Sequence, residues 1–136
     1  LGAILRSAEC AGAQGVIIPK RRSVGLTATV AKASAGAMEY MKVARVTNIN
    51  NAIAELKDKG VWIFGTAAEG SIPMYQADLK GPAAIVIGNE GDGMSPLVRK
   101  NCDVTVHIPM EGKISSLNAS AAASILLYEA VRQRLG

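Results

Sequence analysis

Five short runs of apolar, β-branched-rich residues recur along the chain: Val16-Ile17-Ile18, Val43 to Val46, Val61-Trp62-Ile63-Phe64, Ala84-Ile85-Val86-Ile87 and Val104 to Ile108. Each has the length of a strand. Between them lie segments of helical composition: Gly2 to Ala13, Leu26 to Glu39, Ile49 to Lys59, Pro96 to Cys102 and Ala119 to Leu135. Hydrophobicity is continuous within each strand run rather than alternating, which is the pattern of strands buried on both faces. Together with the strand–helix alternation it predicts an α/β fold, a parallel sheet flanked by helices on both faces. Local signals agree with the boundaries. Asn48 or Asn50 can cap the helix over 49–59 and Gly60 can stop it, while Ser95 can cap a helix that has Pro96 at its first position. The segment 26–39 is the weakest helix, because Thr27, Thr29 and Gly36 lower its propensity. Trp62, inside an apolar strand, is expected in the core.

Open α/β sheets bind ligands at the carboxyl ends of their strands, so the loops after the strands hold the candidate chemistry. They are Pro19 to Gly25, Gly65 to Pro73, Gly88 to Ser95 and Pro109 to Asn118. The third, Gly88-Asn89-Glu90-Gly91-Asp92-Gly93, is glycine-rich, but its order is the reverse of the dinucleotide fingerprint, and no phosphate-binding G-x-x-x-x-G-K-[ST] occurs. Glu90 and Asp92 would repel a pyrophosphate and suit a cationic or hydroxyl-bearing ligand. Ser115, Ser116 and Ser120 cluster near the last helix, yet no G-x-S-x-G elbow accompanies them and His107 is the sole histidine, which argues against serine hydrolysis. His107 itself, at a strand end, reads as a surface or core residue. Asn118-Ala119-Ser120 matches a glycosylation sequon only formally, since no secretion signal accompanies it.

Composition adds bounds. The chain of 136 residues, 49% hydrophobic and only 4% aromatic, has the size of one domain with an aliphatic core. No stretch approaches the roughly 18 consecutive apolar residues of a membrane span, and no signal peptide is visible, so a soluble cytoplasmic protein is expected. Cys10 and Cys102 show no metal-ligand spacing and are expected as reduced thiols, with no metal site. A formal charge of +4 and a pI near 9.3 favour an anionic partner. Lys20, Arg21 and Arg22 form the densest basic cluster, either a solvated loop or a phosphate-contacting patch. Leu1 to Arg6 starts inside an apolar-periodic pattern with neither Met nor cap ahead of it, which is expected of a piece of a longer protein.

Three stretches in order, LGAILRSAECAG, IVIGNEGDGMS and IPMEGKISSLNASAAASILLYEA, with IIPKRRS, Val46-Thr47-Asn48 and GTAAEG between them, cover almost the whole chain. Together they resemble the motifs of the SpoU-type (SPOUT superfamily) RNA ribose 2'-O-methyltransferases, in particular the branch that methylates a guanosine of large-subunit (23S) ribosomal RNA. The resemblance implies a deep C-terminal trefoil knot, a homodimer, S-adenosylmethionine as methyl donor with no metal, and RNA as substrate, ribosomal RNA before tRNA. It also implies an additional N-terminal RNA-binding domain ahead of residues 1–136. The implied catalytic residues are Arg6, Glu90, Asn118 and Ser116, and the implied cofactor-binding positions are Thr66, Ile87, Gly88, Ile108, Met110 and Leu117. Lys20, Arg21 and Arg22 would then contact RNA. One departure stands out: the asparagine that usually opens the first motif would fall just before Leu1. Two other readings stay open, a non-catalytic RNA- or cofactor-binding domain of the same fold, and an α/β enzyme acting on another nucleotide-like ligand at Gly88 to Gly93.

Overall fold

The computed structural model describes residues 2–13, 15–19, 42–67, 71–88, 94–111 and 119–136. The described elements are α1 (Gly2–Cys10), β1 (Gly15–Pro19), β2 (Lys42–Val46), α2 (Ile49–Asp58), β3 (Trp62–Thr66), β4 (Ile72–Pro73), a 3-10 turn (Met74–Gln76), β5 (Ala83–Val86), α3 (Pro96–Asn101), β6 (Val104–His107) and α4 (Ala119–Leu135). The helix expected over 26–39 lies outside the described residues.

Every described strand pair is parallel. Where one sheet was expected, the described strands divide into two ladders, β1-β2 and a four-stranded sheet of order β4-β6-β3-β5. Continuous hydrophobicity reports that a strand is buried, not which strand lies beside it, so the division left no trace in the pattern. β4 was not anticipated either. It is two residues long at the sheet edge and contains proline, too short for any periodicity.

The helix ends follow the local chemistry. Asn48 is the cap of α2, its side chain accepting from the backbone N–H groups of Asn50 (2.9 Å) and Asn51 (3.4 Å). Ser95 caps α3, accepting from Val98 N–H at 3.3 Å with Pro96 at the first position. Gly60 ends α2 at φ +84°, and Gly12, at φ +77°, stops α1 three residues before the predicted end because Ala13 N–H turns back to the Ala8 carbonyl.

Adjacent residues of a strand point to opposite faces, and both Ile63 (0% exposed) and Phe64 (4%) are buried, so both faces of the sheet are covered at β3. Phe64 joins Ala77, Leu79, Val106 and Leu126 of α4 in one apolar cluster, and α2 packs on β3. Asp103 ties the amino end of β6 to β3: its carboxylate accepts from Ile63 N–H (2.7 Å), and its own N–H donates to the Ile63 carbonyl (2.8 Å). Trp62, expected in the core, is 58% exposed. It opens β3 and pairs with Ala83 on one side only, because the β6 ladder begins two residues later at Phe64.

α4 is fastened at both ends. Near its start, the hydroxyls of Ser7 on α1 and Ser124 lie 2.6 Å apart, and the buried residues Ala8 and Ala123 belong to the same two packed helices. Small side chains permit that approach. Near its other end Gln133 donates to the Ala77 carbonyl (2.9 Å) and accepts from Leu79 N–H (2.8 Å), while Arg134 donates to the carbonyls of Leu79 (3.2 Å) and Gly81 (3.0 Å). Glu129, 7% exposed, accepts two bonds from Arg132 at 2.7 and 2.8 Å and one from Gln133 at 2.8 Å.

The Arg132 hydrogen bonds hold the Glu129 carboxyl below its ordinary value of 4.5, against the opposing effect of burial. A carboxyl depressed in the folded state stabilises fully above its unfolded value, and that contribution is lost as pH falls through the folded value. Glu129→Gln should therefore be less stable than the parent protein at pH 7, with the difference shrinking as the pH drops below about 4.5. Urea titrations of both proteins at pH 7 and pH 3.5 test this, and a constant difference would rule it out.

Candidate functional site

β3 lies between β5 on one side and β6 on the other, so the chain's direction of travel across the sheet reverses about β3. At such a point the loops leaving neighbouring strands diverge and open a crevice at the carboxyl ends. The register brings these ends level: Gly65 pairs with Val86 of β5 and with Thr105 of β6, and Thr66 pairs with Val106. Ala67 N–H extends the β6 ladder by donating to the Val106 carbonyl at 3.0 Å.

Five positions expected from the sequence fall on this edge. Thr66 ends β3, Ile87 and Gly88 follow β5, and Ile108 and Met110 follow β6. Ile87 and Ile108 pack against the apolar cluster, which commits their side chains to the core and leaves their backbone groups for the crevice. The Thr66 hydroxyl donates to the Val86 carbonyl at 3.3 Å, bridging β3 to β5 one residue before Ile87. Met110 is 40% exposed and supplies apolar surface at the rim. An edge of backbone N–H and C=O groups beside apolar side chains fits an adenosine-like ligand, whose base needs both edge hydrogen bonds and an apolar face.

Close approach at β3 also seats Met94 and Cys102. A Cβ on Gly65 would lie 2.7 Å from Cys102 Sγ and 2.8 Å from both Met94 Sδ and Cε. The bare backbone of Gly65 thus lets the Met94 side chain rest on the strand. Cys102 donates to the Val98 carbonyl at 3.3 Å, and burial, with the Asp103 carboxylate second, pushes its thiol above the ordinary range. Both Cys10 and Cys102 are free thiols, as expected.

Arg6 sits on α1 with its side chain exposed, one residue before the Ser7 that meets Ser124. It is thus carried by the helix that packs against the beginning of α4, within the third motif. Among the described residues no hydrogen bond or ion pair joins Arg6 to the strand-end positions. Glu90, Ser116, Leu117, Asn118, Lys20, Arg21 and Arg22 lie outside the described residues.

Two residues at this edge were not anticipated as a pair. The Ser71 hydroxyl lies 2.7 Å from the Ala67 carbonyl and 2.9 Å from His107 Nδ1. Separated by 36 positions, they share no spacing that sequence could reveal. The shallow depression lined by Arg99, Lys100, Cys102 and Asp103 opens beside the start of β6, at the opposite end of that strand from the crevice. Among the described residues no group of three His, Cys, Asp or Glu side chains is placed to hold a metal, and no helix is long and apolar enough to cross a membrane.

Residues 1–128 match the SpoU rRNA Methylase family. The 23S rRNA (guanosine-2'-O-)-methyltransferase RlmB of Shewanella oneidensis is 55% identical over 134 residues, covering 98% of this chain and 54% of that protein. The chain spans about half the length of the curated relatives it matches. Among solved structures, the SpoU methyltransferase AviRb of Streptomyces viridochromogenes, in complex with AdoMet, is 34% identical with a TM-score of 0.91 over 98% of this chain and 55% of its own. The AdoMet-bound rRNA methyltransferase of Sinorhizobium meliloti is 30% identical, with a TM-score of 0.92 over 100% of this chain and 52% of its own. A parallel α/β fold shared with these structures, and a sequence matched from residue 1 to 128, place this chain in the SpoU rRNA methylase family.

Proposed function

We propose that the chain is the methyltransferase domain of an RNA 2'-O-methyltransferase, acting on ribosomal RNA, with a guanosine of 23S rRNA the leading target. The observation that carries this reading is the alignment of Thr66, Ile87, Gly88, Ile108 and Met110 along the carboxyl edge of three adjacent parallel strands. The names of the relatives point the same way: RlmB is a 23S rRNA (guanosine-2'-O-)-methyltransferase by name, and the AviRb and Sinorhizobium structures hold AdoMet.

In this reading S-adenosylmethionine supplies an electrophilic sulfonium methyl group. The strand-end backbone groups of Ile87, Gly88 and Ile108, with Met110 and Leu117, would hold the donor, and Thr66 would keep the ends of β3 and β5 together. A ribose 2'-hydroxyl is a weak acid, so the protein must align it and stabilise the charge that develops as its proton leaves. Arg6 would do the latter as a permanently charged, forked donor, since a guanidinium stays protonated in proteins. Glu90, Asn118 and Ser116 would orient Arg6 and the ribose, and Lys20, Arg21 and Arg22 would meet RNA phosphates.

The C-terminal trefoil knot belongs to the same proposal. So does a homodimer. Tyr128 (47% exposed) and Leu135 (83%) recur seven residues apart on α4, an apolar stripe that a second copy can cover. An RNA-modifying role is in keeping with a cytoplasmic location.

The natural full-length protein, incubated with 23S rRNA and S-adenosylmethionine carrying a tritiated methyl group, should label the RNA, and nuclease digestion should release 2'-O-methylguanosine. Binding of S-adenosylhomocysteine without any transfer would instead establish a non-catalytic domain. Stabilisation by NAD or ATP in its place would indicate a different nucleotide-like ligand.

A further inference from the structure

The Ser71–His107 contact lies beside two of the strand-end positions: Ser71 also holds the Ala67 carbonyl, next to Thr66, and His107 precedes Ile108. The hydroxyl of Ser71 has one proton, and the Ala67 carbonyl at 2.7 Å can only accept it. With the proton on that carbonyl, the contact of 2.9 Å between Ser71 Oγ and His107 Nδ1 is made by an Nδ1–H donating into the hydroxyl oxygen. In that arrangement His107 carries its proton on Nδ1.

The consequence is mechanical. Ala67 and Ser71 are both attached to β6, at successive residues: Ala67 N–H donates to the Val106 carbonyl (3.0 Å), and Ser71 meets His107 (2.9 Å). β4 continues the attachment, pairing Ile72 with Val106 and Pro73 with His107. Thr66 immediately precedes Ala67 and Ile108 immediately follows His107. The bridge thus ties together two elements that flank the crevice.

We propose that His107 is a positioning residue which, acting through Ser71 and the Ala67 carbonyl that Ser71 holds, fixes the chain just after Thr66 against the end of β6 and so sets the opening that receives the methyl donor. This rests on the cofactor reading given above. Fixing a loop before the ligand arrives removes an ordering cost from binding, so its loss shows in affinity and KM more than in kcat.

His107→Phe and Ser71→Ala should each weaken S-adenosylhomocysteine binding in calorimetry by roughly five- to tenfold, the effect of one ordinary hydrogen bond. KM for S-adenosylmethionine should rise in parallel with little change in kcat. The double variant should be no worse than the weaker single, because both remove one bridge. His107→Asn, whose side-chain amide can place an N–H near the position of Nδ1, should recover most of the affinity. The ¹⁵N spectrum of the parent protein at neutral pH should show the Nδ1–H tautomer, and Ser71→Ala should lose that preference.

Unchanged affinity in His107→Phe and Ser71→Ala, with normal binding by the parent, would overturn this inference alone. So would a loss that His107→Asn fails to restore and that follows the fall in Tm. A parent protein that binds no S-adenosylhomocysteine would overturn the cofactor reading and this inference together.

Discussion

Arg6→Ala should lower kcat for ribose methylation by about two to three orders of magnitude, the range seen when one donor to a developing oxyanion is removed. Affinity for S-adenosylhomocysteine should change by no more than about twofold, because an interaction made only as charge develops contributes to the transition state and not to ligand binding. The structure makes this a clean test of chemistry. Arg6 is exposed on α1, whose packing against α4 runs through Ser7 and Ala8, and alanine is the best helix former, so folding should survive the change. Arg6→Lys should fall between the two, keeping the charge but losing the planar fork. Single-turnover kinetics on 23S rRNA and calorimetry with S-adenosylhomocysteine give the two numbers separately. Equal losses in both would show that Arg6 serves binding or folding instead.

Gly65→Ala should be the most damaging small change in the sheet. The added methyl would sit 2.7 Å from Cys102 Sγ and 2.8 Å from the end of Met94, closer than Cβ atoms approach their neighbours. Met94 can swing away at the end of a flexible side chain, but Cys102 is short and holds the Val98 carbonyl. Overpacking of this kind costs about 1–3 kcal/mol, which for a domain of this size lowers Tm by roughly 4–10 °C. The displaced Met94 lies directly after residues 89–93, so cofactor affinity should fall as well. Adding Cys102→Ala removes the harder of the two collisions and should return part of the lost Tm. Thermal melts of the single and double variants, with and without S-adenosylhomocysteine, decide the point; a Gly65→Ala protein that melts like its parent would refute it.

Much of the frame was legible in local chemistry. The five apolar runs became β1, β2, β3, β5 and β6, and Asn48, Ser95 and Gly60 mark helix ends where their side chains or their freedom at positive φ predict. These signals survive without tertiary context because they arise between residues a few positions apart. Trp62 marks where that logic fails. An apolar strand residue is buried only if neighbouring strands and helices extend over it, and at the amino end of β3 the β6 ladder has not yet begun.

The candidate site divides in the same way. The motifs identified Thr66, Ile87, Gly88, Ile108 and Met110 one at a time, and their order along the chain does not state that they share an edge. That follows from the placement of β5 and β6 on opposite sides of β3, a long-range choice made by packing. The need for glycine at 65 arises from Met94 and Cys102, and the roles of Ser71 and His107 arise from each other across the sheet. The sequence by itself determined the elements, their ends and the family, because repeating apolar runs, caps and short motifs are local. Only the tertiary structure decided which strands are neighbours and which side chains meet at their ends, because those depend on contacts between residues far apart in the chain.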